Sequence, residues 1–278
     1  MTPGTAPKPA NSSAPIKPTF LAFHGSGSNG TVHTVQLARL MRAIKPYFNV
    51  ESLEAPFPSP AGPGVLPFFD GCGPFKRWLP PTEKVTIEAM KRGESSSAMA
   101  AEVETIVRDA VYRVRAAGSH VVGLIGFSQG TKVVAGLLRG SEIRRALVAR
   151  GETVGDDTDW CDFDIALSVC ASYPPPLIPP SVSAQLKASS LSEEQQTALV
   201  SAKITTPVFH VQGLQDEWKW AGENLIKAHY ETGSGEAELV EWEMGHHYPV
   251  PAEDSERIRD WILRVLGKAE GESGRVGL

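Results

Sequence analysis

The sequence has little of what marks a disulfide-stabilised or metal-binding protein. Only three of its 278 residues are cysteines, Cys72, Cys161 and Cys170. They show no C-x-x-C spacing, and an odd count is a poor disulfide framework, so we expect a reducing, cytoplasmic compartment. The seven histidines form no H-E-x-x-H motif or comparable cluster, and we therefore expect no metal site.

Charge and hydropathy exclude further classes of protein. The formal net charge is −5 and no run of Lys or Arg stands out, which argues against nucleic acid or an anionic membrane as a partner. No apolar run reaches the length that a membrane span needs. The first eighteen residues are rich in Pro, Ser, Thr and Ala and lack the apolar core of a signal peptide. We expect disordered flanks at residues 1–18 and 268–278 around one domain at residues 19–267.

What the chain does contain is a regular alternation of strand-like and helix-like segments. Apolar residues make up 41% of it, enough for one sizeable core. Helical periodicity separates short apolar or β-branched runs, and this alternation predicts a mostly parallel central sheet with helices on both faces, an α/β fold. The predicted strands are residues 19–24, 48–53, 120–127, 163–173, 206–213 and 237–243.

Two segments interrupt this alternation. Residues 55–82 are dense in Pro, Gly and aromatics, with too many breakers for a helix and too much apolar surface for a solvated loop. Residues 174–203 begin with prolines and then resemble a helix. We expect cap-like segments at about residues 55–96 and 174–203, the second forming a lid over one end of the sheet. An ordinary surface helix would explain the second segment as well.

The stretch Gly126-Phe127-Ser128-Gln129-Gly130 fits G-x-S-x-G. It lies between a predicted strand and a predicted helix, which is the context of a nucleophile elbow. At such a tight turn the serine adopts a strained backbone conformation, and the glycines let neighbouring backbones approach. The hydroxyl then stands at a helix N-terminus, where the N–H groups favour a developing anion. We predict that Ser128 is a catalytic nucleophile; a plain strand-to-helix turn is the alternative.

A serine nucleophile needs a base and an acid, which in this architecture follow it in the order acid, then histidine. The predicted acid is Asp216, which comes directly after a predicted strand and can orient an imidazole. Other carboxylates compete with it for this role: Glu217 beside it, and Asp156, Asp157 and Asp159 further upstream.

The predicted base is one of two adjacent histidines after the last predicted strand. Consecutive side chains point in different directions, so only one of them can meet Ser128. We favour His246, because Gly245 before it frees the backbone, and keep His247 as the alternative.

The oxyanion of a tetrahedral intermediate needs two backbone N–H donors. One is predicted at Gln129, the residue after the nucleophile. The other is predicted at Ser26, in the Gly-rich loop of residues 24–30 that follows the first strand. That loop lacks the Lys of a P-loop and does not fit G-x-G-x-x-G, so we do not expect nucleotide binding.

In combination these residues resemble the fungal serine hydrolase family within the α/β-hydrolase fold. The resemblance covers roughly residues 18–266. In the family motif a Gly-His pair is separated by two residues from a Pro, which matches His246 and Pro249, whereas Met244 stands where the family more usually has a second glycine. The stretches that carry the resemblance are "FLAFHGSGSNG", "APFPSPAGPGV", "GFSQG", "VQGLQDEW" and "GHHYP".

The resemblance implies an esterase or thioesterase that uses no cofactor. Some relatives resemble carboxylesterases, and others release a polyketide from its carrier-protein thioester. The implied partners are a small-molecule ester or acyl-thioester, and an acyl-carrier protein or polyketide synthase. Residues 64–81 are similar to the second group and suggest an apolar acyl pocket, although plain core packing would explain the same side chains. The candidate pocket residues are Phe68, Phe69, Trp78 and Trp218.

The predicted activity is therefore cleavage of an ester or thioester through an acyl-enzyme, as in secondary metabolism. An acyltransferase or cyclase would use the same residues with an alcohol or amine in place of water. A carbon–carbon bond hydrolase would also use the same triad. A non-catalytic small-molecule receptor on this scaffold would usually lack a triad member, whereas Ser128, Asp216 and His246 are all present.

Overall fold

The computed structural model describes residues 16–83, 86–233 and 236–273, and a six-stranded parallel sheet runs through their centre. All six predicted strands are found in it. Two further short strands, β3 and β4, pair only with each other. The strands are β1 (Thr19–Phe23), β2 (Asn49–Leu53), β3 (Phe57–Pro58), β4 (Lys76–Arg77), β5 (Val121–Phe127), β6 (Ile165–Val169), β7 (Val208–Gly213) and β8 (Glu238–Trp242).

The order of the strands positions the candidate site. Across the sheet it is β2-β1-β5-β6-β7-β8, and every neighbouring pair is parallel. After β1 the chain adds β2 on one side and later β5 on the other, so the order reverses between β1 and β5. Ligands bind beyond the carboxyl ends of the strands at such a switch point. Ser26 follows β1 there, and Ser128 follows β5.

Helices cover both faces of the sheet. Buried side chains of α4 and α5 pack on one face, and those of α2 and α9 pack on the other. This confirms the predicted α/β architecture. The helices are α1 (Gly30–Gln36), α2 (Ala38–Ile44), α3 (Ile87–Lys91), α4 (Ala101–Ala116), α5 (Gly130–Ala149), α6 (Pro180–Ala188), α7 (Glu193–Ser201), α8 (Lys219–His229) and α9 (Ala252–Ser273), with a 3₁₀ turn at Asp156–Thr158.

The two predicted cap-like segments contain short elements. Residues 55–96 hold β3, β4 and α3, and residues 174–203 hold α6 and α7. The second segment packs closely on α5, because the Leu177 N–H donates to the Lys132 carbonyl at 3.1 Å. A Cβ at Gly136 would lie 1.7 Å from the Leu177 carbonyl oxygen, so this contact requires glycine. The cap-like role of both segments, and the role of residues 174–203 as a lid, stay predictions.

The ends of the chain differ in part from the expected flanks. Helix α9 continues to Ser273, six residues beyond the expected end of the domain at residue 267. Residues 1–15 and 274–278 lie outside the described residues, so the expectation of disorder there stays a prediction. Within the described residues, no helix combines the length and the apolar character that crossing a bilayer requires.

Candidate active site

The turn after β5 has the geometry of a nucleophile elbow. Ser128 has a φ of +49°, in the left-handed region that non-glycine residues rarely adopt. A Cβ at Gly126 would lie 2.9 Å from the Thr131 Cα, and one at Gly130 would lie 2.2 Å from the Phe23 carbonyl oxygen. Side chains at these two positions would therefore collide with the start of α5 and with the end of β1. The Ser128 side chain remains partly exposed at the N-terminus of α5.

Asp216 and His246 meet although they are thirty residues apart in the chain. Asp216 follows β7 and His246 follows β8, the neighbouring strand. The two side chains form a hydrogen bond of 2.8 Å between Nδ1 of His246 and Oδ2 of Asp216. The other carboxylate oxygen accepts the Trp218 backbone N–H at 2.8 Å. The Nδ1–H donor leaves Nε2 of His246 as the proton acceptor.

The environment of Asp216 keeps it ionised although its side chain is only 1% exposed. Burial alone would raise the pKa of this carboxyl. The hydrogen bond and charge of His246, the Trp218 N–H and the Cys170 thiol outweigh burial, and the pKa is lowered. An ionised carboxylate here stabilises an imidazolium at His246, whose side chain is 16% exposed and open to a substrate.

Two of the competing residues, Asp159 and His247, have partners elsewhere. Asp159 forms an ion pair with Arg115 at 2.6 Å. The His247 ring binds its own loop, with Nδ1 2.8 Å from the Tyr248 carbonyl oxygen and Nε2 accepting the Gly245 N–H at 3.3 Å. The structure thus pairs His246 with Asp216 and leaves His247 exposed beside them.

Packing brings the imidazole to the nucleophile turn. The Phe127 ring, directly before Ser128, lies 5.1 Å from the His246 ring and 5.1 Å from the Tyr248 ring. Within the described residues no hydrogen bond joins the Ser128 hydroxyl to His246. Such bonds are often long without substrate and tighten only in the complex.

The two predicted oxyanion donors lie on the loops after β1 and β5. Among the described residues neither the Ser26 nor the Gln129 backbone N–H has a hydrogen-bond partner. The Gln129 side chain holds its own turn, because Oε1 accepts the Trp78 backbone N–H at 2.7 Å. The Trp78 indole N–H in turn donates to the His24 carbonyl at 2.8 Å. Trp78 therefore connects both loops.

His24 is a supporting residue of the first of these loops. Its Nδ1 donates to the Gly25 carbonyl at 2.7 Å, and its Nε2 accepts the Ala55 N–H at 3.2 Å. Burial lowers the pKa of His24 to about 4, so the imidazole is neutral and fixed in one tautomer.

The four candidate pocket residues are in different surroundings. Trp78 is 1% exposed and packs on Phe23 in the core, so its ring offers almost no surface to a substrate. Phe68 is 84% exposed, and Phe69 and Trp218 are partly exposed. A pocket lined by Phe68, Phe69 and Trp218 stays a prediction, and the bonds of Trp78 assign it to the scaffold.

Cys170, which belongs to no sequence motif, lies against the Asp216–His246 pair. Its Sγ, a carboxylate oxygen of Asp216 and a ring nitrogen of His246 all lie within 4.8 Å of one another. Cys170 directly follows β6, the strand between those that precede Ser128 and Asp216. No motif marks Cys170, and the predicted strand of residues 163–173 continues past it, so the sequence alone carries no signal for this position.

Curated fungal esterases are similar to the chain over most of its length. A family model described as "Serine hydrolase (FSH1)" matches residues 13–258. "Esterase pigG" of Monascus ruber is 30% identical over 258 residues, which cover 89% of this chain and 91% of the relative. "Probable esterase azaC" of Aspergillus niger is 26% identical over 253 residues, which cover 90% and 86%.

Solved structures of esterases and thioesterases are more distantly similar. Acyl-protein thioesterase 2 of Zea mays has a TM-score of 0.46 and 18% identity, and the match covers 91% of this chain and 96% of that chain. Esterase PE8 has a TM-score of 0.47 and 17% identity, with 93% and 96% covered. Likeness at this level carries no argument about the substrate.

Proposed function

We propose that this chain, which belongs to the serine hydrolase (FSH1) family, cleaves an ester or thioester through an acyl-enzyme formed on Ser128. Its family and its likeness to curated esterases make it a serine hydrolase. The observation that carries the covalent route is the hydrogen bond of 2.8 Å between His246 Nδ1 and Asp216 Oδ2. A base oriented in this way has Nε2 available to take the proton of a serine hydroxyl.

Acylation begins when the Ser128 oxygen attacks the substrate carbonyl carbon and its proton passes to His246 Nε2. The ionised Asp216 stabilises the imidazolium that forms. The carbonyl oxygen becomes an oxyanion, which accepts the backbone N–H groups of Ser26 and Gln129. The intermediate then collapses, the bond to the alcohol or thiol breaks, and His246 returns the proton to that leaving group.

Deacylation repeats these steps with water as the nucleophile. His246 takes a proton from water, whose oxygen attacks the acyl carbon and again forms an oxyanion between the same N–H groups. Collapse breaks the bond to the Ser128 oxygen, which recovers its proton from His246. The products are a carboxylic acid and the free enzyme.

For the substrate we infer an apolar acyl or polyketide chain carried as a thioester on a carrier protein. The resemblance of residues 64–81 to polyketide-releasing relatives supports this, and so do Leu66 and Phe68, which are exposed in the same segment. The segment ends beside the oxyanion loop, because the Lys76 carbonyl accepts the Gly27 N–H at 2.8 Å. Exposed apolar side chains on a segment that contacts the oxyanion loop suit an apolar chain or a protein partner.

A substrate panel and an active-site probe test both levels of the proposal. A fluorophosphonate should label the protein at Ser128 and leave Ser128→Ala unlabelled. The enzyme should hydrolyse aryl esters of increasing acyl length. Its kcat/KM should be higher for an acyl group carried on an acyl-carrier protein than for the same acyl group carried on pantetheine. Equal values would remove the carrier protein from the proposal and leave the esterase.

Two outcomes would point to the rival functions. If an added alcohol diverts most of the acyl group from acid to ester, the enzyme is an acyltransferase. If the probe leaves Ser128 unlabelled and no substrate of the panel is turned over, a non-catalytic receptor is the better reading.

A further inference from the structure

Cys170 contacts the loop that carries His246 on both sides of the imidazole. Its Sγ lies 3.8 Å from the Gly245 carbonyl oxygen and 3.7 Å from the His247 carbonyl oxygen. These residues flank His246 in the chain. The same sulfur lies within 4.8 Å of an Asp216 carboxylate oxygen and of a His246 ring nitrogen. One buried thiol therefore lies beside the acid and against the loop that carries the base.

The backbone of Cys170 is in a conformation that its side chain disfavours. Its φ is +47°, and among the described residues Ser128 is the only other non-glycine residue with a positive φ. The Cys170 N–H donates to the Val211 carbonyl at 2.9 Å, which fixes the turn to the neighbouring strand β7. Glycine would adopt this φ without steric cost. Strained residues persist where the surrounding structure requires them, and they cluster at functional sites.

We propose that Cys170 is a positioning residue for the Asp216–His246 pair: its single S–H donor lies between the Gly245 and His247 carbonyls and the Asp216 carboxylate, and its sulfur holds the His246 loop against that carboxylate. The inference rests on the proposed function, because it assigns Cys170 a role relative to groups that act there. No bond to sulfur forms or breaks, and the thiol proton remains on sulfur throughout turnover. The effect on catalysis is to keep the imidazole in the orientation that reaches Ser128.

The electrostatic surroundings of Cys170 favour the neutral thiol. Burial raises its pKa, and the negative charge of Asp216 raises it further. A thiol in such surroundings is a hydrogen-bond donor and not a nucleophile. The titratable groups of the described residues that face it are Asp216 from the loop after β7, and His246, His247 and Tyr248 from the loop after β8.

Three substitutions separate the thiol from the strained backbone. Cys170→Ala removes the sulfur and keeps the disfavoured φ. Cys170→Gly removes the sulfur and relieves the φ, so it carries the test if the alanine variant folds poorly. Cys170→Ser keeps a donor of similar size. The matched control is Cys161→Ala, because Cys161 is also a buried free thiol and its sulfur contacts the Leu137 carbonyl in the core at 3.6 Å.

We expect kcat/KM to fall in the variants that lack a hydrogen-bond donor at position 170, whatever their thermal stability. In Cys170→Ala and Cys170→Gly it should fall by about 2- to 10-fold, the loss expected when one ordinary hydrogen bond is removed. Cys170→Ser should recover most of this loss, and Cys161→Ala should keep wild-type turnover. Thermal unfolding of each variant shows which of them are folded.

The pH profile distinguishes positioning from mere packing. Without the thiol, the Asp216 carboxylate loses the S–H dipole beside it and holds the proton of the imidazolium more tightly. The acid limb of kcat/KM should therefore move to higher pH in Cys170→Ala and Cys170→Gly but not in Cys170→Ser. A defect in packing alone would lower the rate without moving the limb.

Some outcomes would overturn this role. If folded Cys170→Gly and Cys170→Ala match Cys161→Ala in kcat/KM and keep the wild-type acid limb, Cys170 does not position the pair. A loss in Cys170→Ser as large as that in Cys170→Ala would contradict the donor role. Fluorophosphonate labelling of wild type and Ser128→Ala, run alongside, tests the proposed function separately, since a labelled Ser128 stands whatever Cys170 does.

Discussion

Ser128 and Cys170 end neighbouring strands of the sheet in the same unusual backbone conformation, with φ values of +49° and +47°. The Ser128 N–H donates to the Val169 carbonyl of β6 at 3.1 Å, and the Cys170 N–H donates to the Val211 carbonyl of β7 at 2.9 Å. Each turn is therefore fixed by the next strand along. The surroundings differ, because the serine side chain is partly exposed and the cysteine is fully buried.

The loop that packs on each turn accounts for this difference. Gly25, after β1, packs against Ser128, and a Cβ there would lie 3.2 Å from the Ser128 Cβ and 3.1 Å from the Phe127 ring. A residue without a side chain leaves the hydroxyl accessible. Over Cys170 lies the loop after β8, with the Gly245 and His247 carbonyls on the sulfur. The same strained strand end can therefore present a reactive group or hold a supporting one.

The largest expected effect comes from removing the presented group. Ser128→Ala should lower kcat by roughly 10⁴- to 10⁶-fold, as in serine hydrolases that lose the nucleophile. Alanine has the same Cβ at the same φ, so the free energy of unfolding should hardly change. Ester hydrolysis and denaturant unfolding measure the two effects. Turnover that survives this change would mean that the exposed strand end is not where chemistry occurs, and the comparison with Cys170 would lose its basis.

His246 and His247 are adjacent in the loop that packs over Cys170, so each serves as a control for the other. His246→Ala should approach the loss of Ser128→Ala, because the base and the nucleophile act as a unit. His247→Ala should lower kcat/KM only slightly, since its ring nitrogens bind the Tyr248 carbonyl and the Gly245 N–H of its own loop. Kinetics of both variants on one aryl ester measure the difference. Equal losses of kcat/KM in the two variants would mean that the Cys170 thiol supports the whole loop after β8 and not the His246 imidazole alone.

The sequence marks Ser128 more clearly than Cys170, for a physical reason. A glycine on each side of Ser128 is a local requirement of the turn, and it appears as a motif. Asp216 and His246 follow from chain order once strands alternate with helices. No local pattern marks Cys170, because its left-handed φ is stabilised by contacts from β7 and from the loop after β8, which come later in the chain.

Trp78 illustrates the same limit on the oxyanion side. The apolar composition of residues 64–81 suggested that Trp78 lines a pocket. The pairing of Phe57 with Arg77 instead places Trp78 in the core against Phe23. Such long-range pairing is not visible in a window of sequence. The parallel sheet could be inferred from the alternation of elements, whereas its strand order and the partners of individual aromatic side chains could not.

The end of β1 supplies a smaller, pH-dependent effect on stability. Burial lowers the pKa of His24 from its ordinary value of 6.5 to about 4, although the Gly25 carbonyl partly offsets it. Between these values the unfolded state binds more protons. The contribution of His24 to the free energy of unfolding should therefore be fully present above about pH 6.5. It should be lost as the pH falls towards 4, which lowers the free energy of unfolding by roughly 3 kcal/mol.

His24→Asn should flatten this part of the profile without abolishing it. Burial also lowers the pKa values of His33 and His210, each to about 3, and these residues remain in the variant. Denaturant unfolding at several pH values between 4 and 7.5 gives the two slopes. If the slopes are the same, His24 does not hold the loop over Ser128 as a buried neutral group.

The smallest expected effect separates the two tasks of the residue after Ser128. Oε1 of the Gln129 side chain accepts the backbone N–H of Trp78, while the backbone N–H of Gln129 is the proposed oxyanion donor. Gln129→Ala leaves a buried N–H unpaired and should lower the free energy of unfolding by about 1–3 kcal/mol. Gln129→Glu keeps an acceptor and most of the stability, but it adds negative charge near the oxyanion and should lower kcat more than the alanine variant does. If both variants lose the same stability and the same kcat, the side chain does not clamp the turn, and the exposed strand end depends on its glycines alone.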